Sequence, residues 1–432
     1  MRRDRSRTSR ALALAAIALS ITLPPAAAAA EVDPRLRAAI ERALSDNPDI
    51  EEMEHRIRAA GYRVPQARAL PEPMVSVGAI NVPVPSLSFT EDFMTMKMVT
   101  LEQEIPAPGK RATAARVAEA ELEMVRTMHA DHVNRLVAEV ADAYFDLASL
   151  DARIGILRHS LERLERVSES VRSRYRVGQG ALPDALLAGV EETKARERLR
   201  AREAERAAAA ARFNTLQNLP AGQAVEPVPL PPADRAMPDP AIVSDALASS
   251  PAIRQARADI RRAEEELQLA RLQRRPDLTL MSSYGQRDRR DDMVAATVGF
   301  NLPFVQRRRV EARIAEKDAE LSAARSRLAF ARVELSRQVE EALIALASEA
   351  DRSALYRDTI LTQNETAARA AEEAYAVGKI DFQTYVQAVL AVDEDEAEAI
   401  ERETAIPRAR AKLQAATGFR FFEYSAHEED LP

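Results

Sequence analysis

The stretch Tyr175-Arg176-Val177-Gly178, preceded by Arg174, returns 200 residues later as Tyr375-Ala376-Val377-Gly378. In each place a long helix-forming run precedes the glycine, and a second helical pattern starts a few residues after it. Glycine tolerates the positive φ that commonly ends a helix, and Pro183 is acceptable in the first turn of the following helix. Each stretch therefore predicts the tight tip of a helical hairpin.

Three further landmarks recur in the same order along the chain. Leu44-Ser45-Asp46-Asn47-Pro48 returns as Leu247-Ala248-Ser249-Ser250-Pro251, and Pro73-Met74-Val75-Ser76-Val77 returns as Pro276-Asp277-Leu278-Thr279-Leu280, both at an offset of 203 residues. Ile105-Pro106 with Lys110-Arg111 returns as Leu302-Pro303 with Arg307-Arg308, at an offset of 197. This period is far too long for a solenoid, so the sequence predicts one structural unit that occurs twice.

The N-terminus has the pattern of a secretory signal. Five arginines come within the first ten residues, and an apolar run from Ala11 to Leu23 and a series of alanines follow. We expect residues 1–30 to be a signal peptide, because the apolar run is too short to span a membrane as a helix. Its removal would change the net charge from −7 to about −11, which disfavours a nucleic-acid partner.

The composition favours long helices over an enzyme. The 432-residue chain has no Cys, no Trp and only 12 Gly. Five scattered His and no Gly-rich loop leave no set of residues that could form a catalytic centre, so we expect no catalytic residue and no cofactor. The absence of Cys also excludes disulfides, thiolate metal sites and lipid attachment through a thioether.

Each copy of the unit predicts the same order: a helix, two extended segments, a very long helix, a tight turn and a last helix. In the first copy these are 34–68, 74–82, 93–105, 111–177 and 183–217; in the second they are 240–274, 278–286, 293–302, 309–377 and 382–416. Apolar positions from Val133 to Tyr175 recur every 3.5 residues, the heptad spacing of a coiled coil. A helix over 111–177 would be roughly 100 Å long.

The extended segments have the length and the alternation of tilted membrane strands. Val99 and Leu101 share one face, and the opposite face carries Thr100, Glu102 and Glu104. Four strands per chain cannot close a barrel, and open sheet edges are not tolerated in lipid. The sequence therefore predicts that several chains pool their strands.

These features resemble the TolC-like outer-membrane efflux proteins. The resemblance lies in Gln103-Glu104-Ile105-Pro106-Ala107-Pro108-Gly109-Lys110-Arg111, in the two hairpin tips and in Leu413-Gln414-Ala415-Ala416-Thr417-Gly418. It implies an α+β membrane protein with a channel-tunnel fold, a homotrimer with a 12-stranded barrel in outer-membrane lipid, and a coiled-coil helical tunnel in the periplasm. It also implies a periplasmic adaptor protein and an inner-membrane pump as partners.

The resemblance also gives expected boundaries and site residues. Residues 31–220 and 241–418 would be the two efflux repeats, joined by a Pro-rich linker at 221–240 and followed by a tail at 419–432. The tips that dock the adaptor would carry Tyr175, Val177, Gly178, Tyr375, Val377 and Gly378. The periplasmic entrance would carry Asp184, Leu187, Thr384 and Gln387, so that only Asp184 contributes a charge there.

The form of the strand-to-helix junction looks most like that of members serving heavy-metal pumps. Met94, Met96 and Met98 alternate before it and would share the lumenal face, where thioethers suit a soft cation. The alternative is that these methionines simply fill an apolar surface. His129 and His132, and the run Asp393-Glu394-Asp395-Glu396, are more simply read as solvated or lumen-lining helix faces than as metal ligands.

We therefore predict the passive outer-membrane duct of a tripartite efflux pump, with heavy-metal cations as the expected cargo. A duct for organic drugs or for secreted polypeptides is the first alternative. A periplasmic adaptor or a structural coiled-coil protein is an alternative of another class. An adaptor would have one hairpin per chain, and a coiled coil would not need the alternating strands.

Overall fold

A computed structural model describes residues 33–231, 235–238, 244, 248, 250–419 and 421–422. The predicted signal peptide, the beginning of the second leading helix and most of the predicted tail lie outside these residues. The first copy of the unit consists of α1 (Pro34–Asp46), α2 (Pro48–Arg68), β1 (Met74–Ile80), β2 (Met96–Ile105), α3 (Lys110–Arg176) and α4 (Leu182–Leu216).

The second copy repeats this order. It consists of α5 (Pro251–Leu272), β3 (Leu278–Gln286), β4 (Met293–Phe300), a 3₁₀ turn (Pro303–Gln306), α6 (Arg307–Leu355), a π-helical turn (Tyr356–Ile360), α7 (Leu361–Ala376) and α8 (Phe382–Thr417). The predicted duplication is therefore present in the order of the elements. Two predictions were wrong in detail, since the leading helix breaks at Asn47 and the second long helix contains the π turn.

The break at Asn47 has a local cause. The Asn47 side chain accepts a hydrogen bond from the amide of Asp49 and caps α2, and Pro48 occupies its first position. Ser250 caps α5 in the same way, bonding the amide of Ile253 ahead of Pro251. Asn and Ser are strong N-caps and Pro suits the first helical turn, so this landmark recurs because it starts a helix.

The four strands form one antiparallel sheet in the order β1-β2-β3-β4. Its register places most of the exposed aliphatic and aromatic side chains on one face, which we call the apolar face, while Ile80 lies on the opposite face. This face carries Val75, Val77, Val99, Leu101, Leu280, Tyr284, Val294, Val298 and Phe300. The predicted alternation is confirmed, and the apolar face extends across both copies with Gln103 and Ser282 among its polar members.

The opposite face, which we call the polar face, carries Thr100, Glu102, Ser283 and Thr297. Lys97 belongs by register to the apolar face, but it lies at the strand end where its ammonium stands 5.4 Å from the ring centre of Phe89. The Lys97 ammonium therefore lies at the edge of the apolar face and makes a cation–π contact there.

Helix α3 is the central element of the helical part. It is 67 residues long, about 100 Å, and it packs against α2, α4, α5 and α8. One buried cluster surrounds its middle, where Tyr144, Phe145 and Leu147 meet α1 and Phe213 of α4. A second cluster near the tips joins the two hairpins through Leu164, Phe382 and Val386. Among the described residues, no helix is both long and apolar enough to be a membrane span.

A largely buried ion pair joins the sheet to the helices at the first junction. The Lys110 ammonium lies 2.7 and 2.8 Å from the two carboxylate oxygens of Asp277, and the side chains are only 13% and 16% exposed. Burial alone would raise the pKa of Asp277, but hydrogen bonds from Lys110, the Ala107 amide and Asn301 outweigh it and hold this pKa below its usual value. The pair fixes the start of α3 beside the start of β3.

Replacing Lys110 by Met should lower the stability of the protein by about 2 kcal/mol, because it leaves a buried carboxylate without its charged partner. Thermal unfolding of the detergent-extracted protein, followed by circular dichroism, measures this change. Arg313→Met is the matched control, since Arg313 and Glu316 form an exposed pair within one helix. Equal unfolding midpoints for the two variants would contradict the role of the junction pair.

Candidate functional site

The two hairpin tips have the same backbone geometry. In the first tip the Gly178 amide donates to the Tyr175 carbonyl at 3.0 Å and the Gln179 amide to the Arg174 carbonyl at 2.8 Å. The second tip repeats both bonds at the same lengths around Gly378. Both glycines have φ of 73°, so the prediction of positive φ is confirmed. The pattern is a Schellman motif, which satisfies the last carbonyls of the helix before the chain reverses.

Apolar side chains project from these tips into solvent. Val177 and Val377 are 67% and 69% exposed, and Tyr175 is also exposed. Tyr375 differs from its counterpart, because its ring stacks on Tyr385 at a centroid distance of 5.1 Å. The four predicted tip side chains thus divide into three that are presented outward and one that holds α7 against α8.

The predicted entrance residues lie in the first turns of α4 and α8. Thr384 and Gln387 are exposed, and the Thr384 amide donates to Asp381, which caps α8. Asp184 is half-buried, and Leu187 packs against the cluster that joins the two hairpins. Of the four positions, Leu187 therefore has a packing role, while Asp184 is the one that carries a carboxylate.

The acidic run on α8 is not a solvated face, which corrects the interpretation from sequence. Asp393 is 7% exposed, and it accepts hydrogen bonds of 2.6 Å from both Ser160 and Arg163 of α3. Asp395 accepts a hydrogen bond from Asn364 of α7. Glu394 is the member that remains exposed. The run therefore fixes α8 to the helices on both of its sides.

Further charged contacts continue this line along α8. Glu401 accepts from Ser149 at 3.1 Å and from Arg153 at 3.0 Å, and Arg408 donates to Asp142 at 2.8 Å. With Asp393 they form three levels that join the middle of α8 to α3. We call them the α3–α8 ladder.

The π turn is held by a bidentate ion pair. Arg357, inside the turn, donates to both oxygens of Glu403 on α8, at 2.9 and 2.7 Å. Such two-point pairing fixes orientation as well as distance. Sequence reasoning missed both residues, because charged residues on a long helix read as solvent-exposed unless their partner is known.

The methionines of the sheet lie on one face, although not as predicted. Met94 precedes β2 and belongs to a turn, so it does not share the strand face, and this part of the prediction was wrong. Every methionine within the four strands lies on the polar face, and none lies on the apolar face. These residues are Met74, Met96, Met98, Met281 and Met293.

The surroundings of these methionines differ. Met96 is 8% exposed and lies over Gly285, where a Cβ atom would stand 2.5 Å from its sulfur. Met96 therefore fills space that Gly285 leaves open. Met74 and Met281 are more exposed and lie in one row on either side of Glu102. Among the residues described, no group of three or more His, Cys, Asp and Glu is arranged to hold a metal ion.

Glu396 is the one carboxylate of the α8 run for which burial dominates. Half-burial raises its pKa, and the neighbouring Asp393 raises it further, against the opposing effect of Arg357. Above its raised pKa, Glu396 is ionised in both the folded and the unfolded state, and the folded state carries the cost of the buried charge.

Glu396→Gln should therefore raise the thermal unfolding midpoint at neutral pH, by about 2 °C. The gain should shrink as the pH falls toward about 4, because the wild-type carboxyl becomes protonated first in the folded state and then in the unfolded state. Unfolding scans between pH 4 and 8 measure it, with the exposed neighbour Glu394→Gln as control. A gain that does not change with pH would contradict this account.

Comparison with known proteins agrees with the geometry. A family model described as Outer membrane efflux protein matches residues 39–218 and 242–419. No curated protein matches the chain. Among solved structures, the outer-membrane channel OprN has a TM-score of 0.78 at 20% identity, covering 90% of this chain and 91% of that chain.

Two further solved structures have the same fold. The outer membrane protein VceC from Vibrio cholerae has a TM-score of 0.76 at 18% identity, over 90% of this chain and 97% of that chain. CusC has a TM-score of 0.73 at 15% identity, over 89% and 92%. The family match covers most of the chain in two consecutive segments, and the chain therefore belongs to the outer membrane efflux protein family, whose members are passive channels of the outer membrane.

Proposed function

We propose that this protein is the exit duct of a tripartite efflux pump, working as a trimer with a periplasmic adaptor and an inner-membrane pump. The observation that carries the proposal is the four-stranded sheet with one predominantly apolar face, continued by a helix of about 100 Å. A sheet of this kind suits a membrane wall, and the helices have the length of a tunnel. This function requires no catalytic step from the chain.

The unpaired edges of the sheet support the proposed trimer. β1 and β4 each pair with one strand, so each has an unpaired row of backbone donors and acceptors. In lipid these rows must be satisfied by another chain. Three copies, each pairing its β4 with the β1 of the next, would give twelve strands and no open edge.

The tips are proposed as the adaptor contact. Val177, Val377 and Tyr175 are exposed apolar side chains at the end of the molecule farthest from the sheet, held on a rigid backbone turn. Exposed apolar groups on a fixed scaffold are typical of a protein contact. Asp184, in the turn beside them, would supply the one charge among the four predicted entrance positions.

Gly378→Val should abolish export while the trimer still assembles. Valine at a φ of 73° costs about 1–2 kcal/mol, which is enough to change the tip but small against the packing of the hairpins. The measurement is toxicant tolerance of cells that carry the cognate pump, with the mass of the extracted protein as the check on assembly.

Gly222→Val is the matched control. Gly222 is exposed, has open space around its Cβ position and does not have a positive φ. It lies after α4, away from the tips. Normal export by Gly378→Val with the cognate pump would contradict the docking role.

For the cargo, we propose soft metal cations. The supporting observation is that the strand methionines share the polar face, with Glu102 between Met74 and Met281. Thioethers bind Cu(I) weakly and exchangeably, and a carboxylate raises the local concentration of cations. Met96 does not belong to this set of cation ligands, because its side chain packs over Gly285.

Replacing Met74, Met98, Met281 and Met293 by Leu should lower copper and silver tolerance, and should leave tolerance to organic drugs unchanged. Met-to-Leu exchange nearly conserves volume, so assembly should be preserved. Met124→Leu with Met128→Leu, on α3, is the control. Unchanged metal tolerance at normal protein levels would favour the alternative cargo of organic drugs.

A further inference from the structure

The two strand-to-helix junctions of the duplicated unit have opposite surroundings. At the first, Lys110 is buried against Asp277. At the second, the equivalent segment runs through Phe304 and Val305, which are 70% and 72% exposed, into three consecutive arginines at 307–309. The segment that is sealed in one copy is therefore open in the other.

An apolar groove lies at this second junction. It has a volume of about 510 Å³, and its walls include Phe300, Leu302, Phe304 and Val310. Phe300 is also the last residue of β4 on the apolar face of the sheet. The groove is therefore a direct continuation of the surface that lies in the membrane, at the end nearest the helices.

The rim of the groove is basic. Arg274 and Glu311 neutralise each other across it at 2.8 Å. Arg307 lines the groove, and neither it nor Arg308 has a carboxylate within ion-pair distance in the described part of the chain. Arg309 donates to the side-chain oxygen of Gln306 at 3.2 Å. The unpaired positive charge thus stands beside the apolar walls.

The duplication indicates what a neighbouring copy would bring to this site. Asp277, the partner of Lys110, corresponds at the offset of 203 residues to Met74 in the first copy. If β4 pairs with the β1 of the next chain, that chain presents Met74 where the first junction has a carboxylate. The contact that neutralises Lys110 therefore has no equivalent for Arg307.

We propose that the groove binds an anionic phospholipid of the periplasmic leaflet. Its phosphate would lie at Arg307 and Arg308, and one acyl chain would lie along Phe300 and Phe304. Arginine favours phosphate because its guanidinium donates two parallel hydrogen bonds, and the exposed aromatic rings offer an apolar wall to the chain. The inference requires the sheet to lie in the membrane, but it does not depend on the cargo or on adaptor docking.

The test uses the intact protein, reconstituted in nanodiscs of phosphatidylcholine mixed with phosphatidylglycerol. Native mass spectrometry should detect retained phosphatidylglycerol several-fold above its share of the mixture. Arg307→Gln with Arg308→Gln should remove this selectivity. Arg289→Gln with Arg290→Gln, which makes the same charge change at the opposite end of the sheet, should keep it. Phe304→Ala should lower retention of both lipids and leave the selectivity.

Two further measurements distinguish the sources of the effect. Inorganic phosphate at millimolar concentration should not displace the retained lipid, and displacement would show a simple anion site and overturn the proposal. The same arginine variant should keep the mass of the assembled protein. Loss of assembly with unchanged lipid selectivity would show that these arginines hold a neighbouring copy and not a lipid, and it would overturn the proposal as well.

Discussion

The structure depends on the need to satisfy every backbone donor and acceptor of the sheet within a membrane. One chain provides four strands with three paired boundaries and two unpaired edges. In lipid such edges cost several kcal/mol for each unsatisfied group. The same register that pairs the strands also separates the apolar face from the polar face. The sheet of one chain therefore has two distinct faces but also two unpaired edges, and these edges are the physical basis of the proposed assembly of several copies.

The helical part solves a different problem, because a tunnel wall has water on both sides. Such a wall cannot rely on a broad buried core, and the buried positions of α3 are dense only near its middle and occur at intervals toward both ends. The α3–α8 ladder fixes the position of α8 on α3 where few apolar side chains are buried between them. Each level of this ladder joins polar side chains of the two helices; Asp393 of α8, for example, accepts hydrogen bonds from both Ser160 and Arg163 of α3. A paired polar contact of this kind stabilises modestly, but losing one partner costs more, so it fixes the register of the helices.

The parts of the fold that follow local rules could be predicted from the sequence. The glycine tips, the proline and N-cap starts and the strand alternation are each set by neighbouring residues, and the structure has all three. The break at Asn47 followed the same rules, although the sequence was read there as one helix. Met94 was misplaced because a two-residue period continues past the true beginning of a strand.

The candidate site was predictable only in part, since burial of a charge depends on which helix packs beside it. No residue near Asp393 in the sequence indicates that Arg163 is its partner, because Arg163 lies 230 positions away. The π turn could not be predicted either, because its residues favour a regular helix and Glu403, the partner of Arg357, lies on another helix. Long-range partners of this kind appear only when the hairpins are placed side by side.

The two copies differ most where they face different neighbours. β2 lies inside the sheet, so its junction with α3 meets the start of β3, and Lys110 finds Asp277 there. β4 lies at the edge, so its junction with α6 faces whatever lies outside the chain. A duplicated unit would repeat its contacts if its surroundings repeated. The junction that is polar and largely buried in one copy is apolar, basic and exposed in the other, because the first is packed by its own chain and the second lies at the unpaired edge of the sheet.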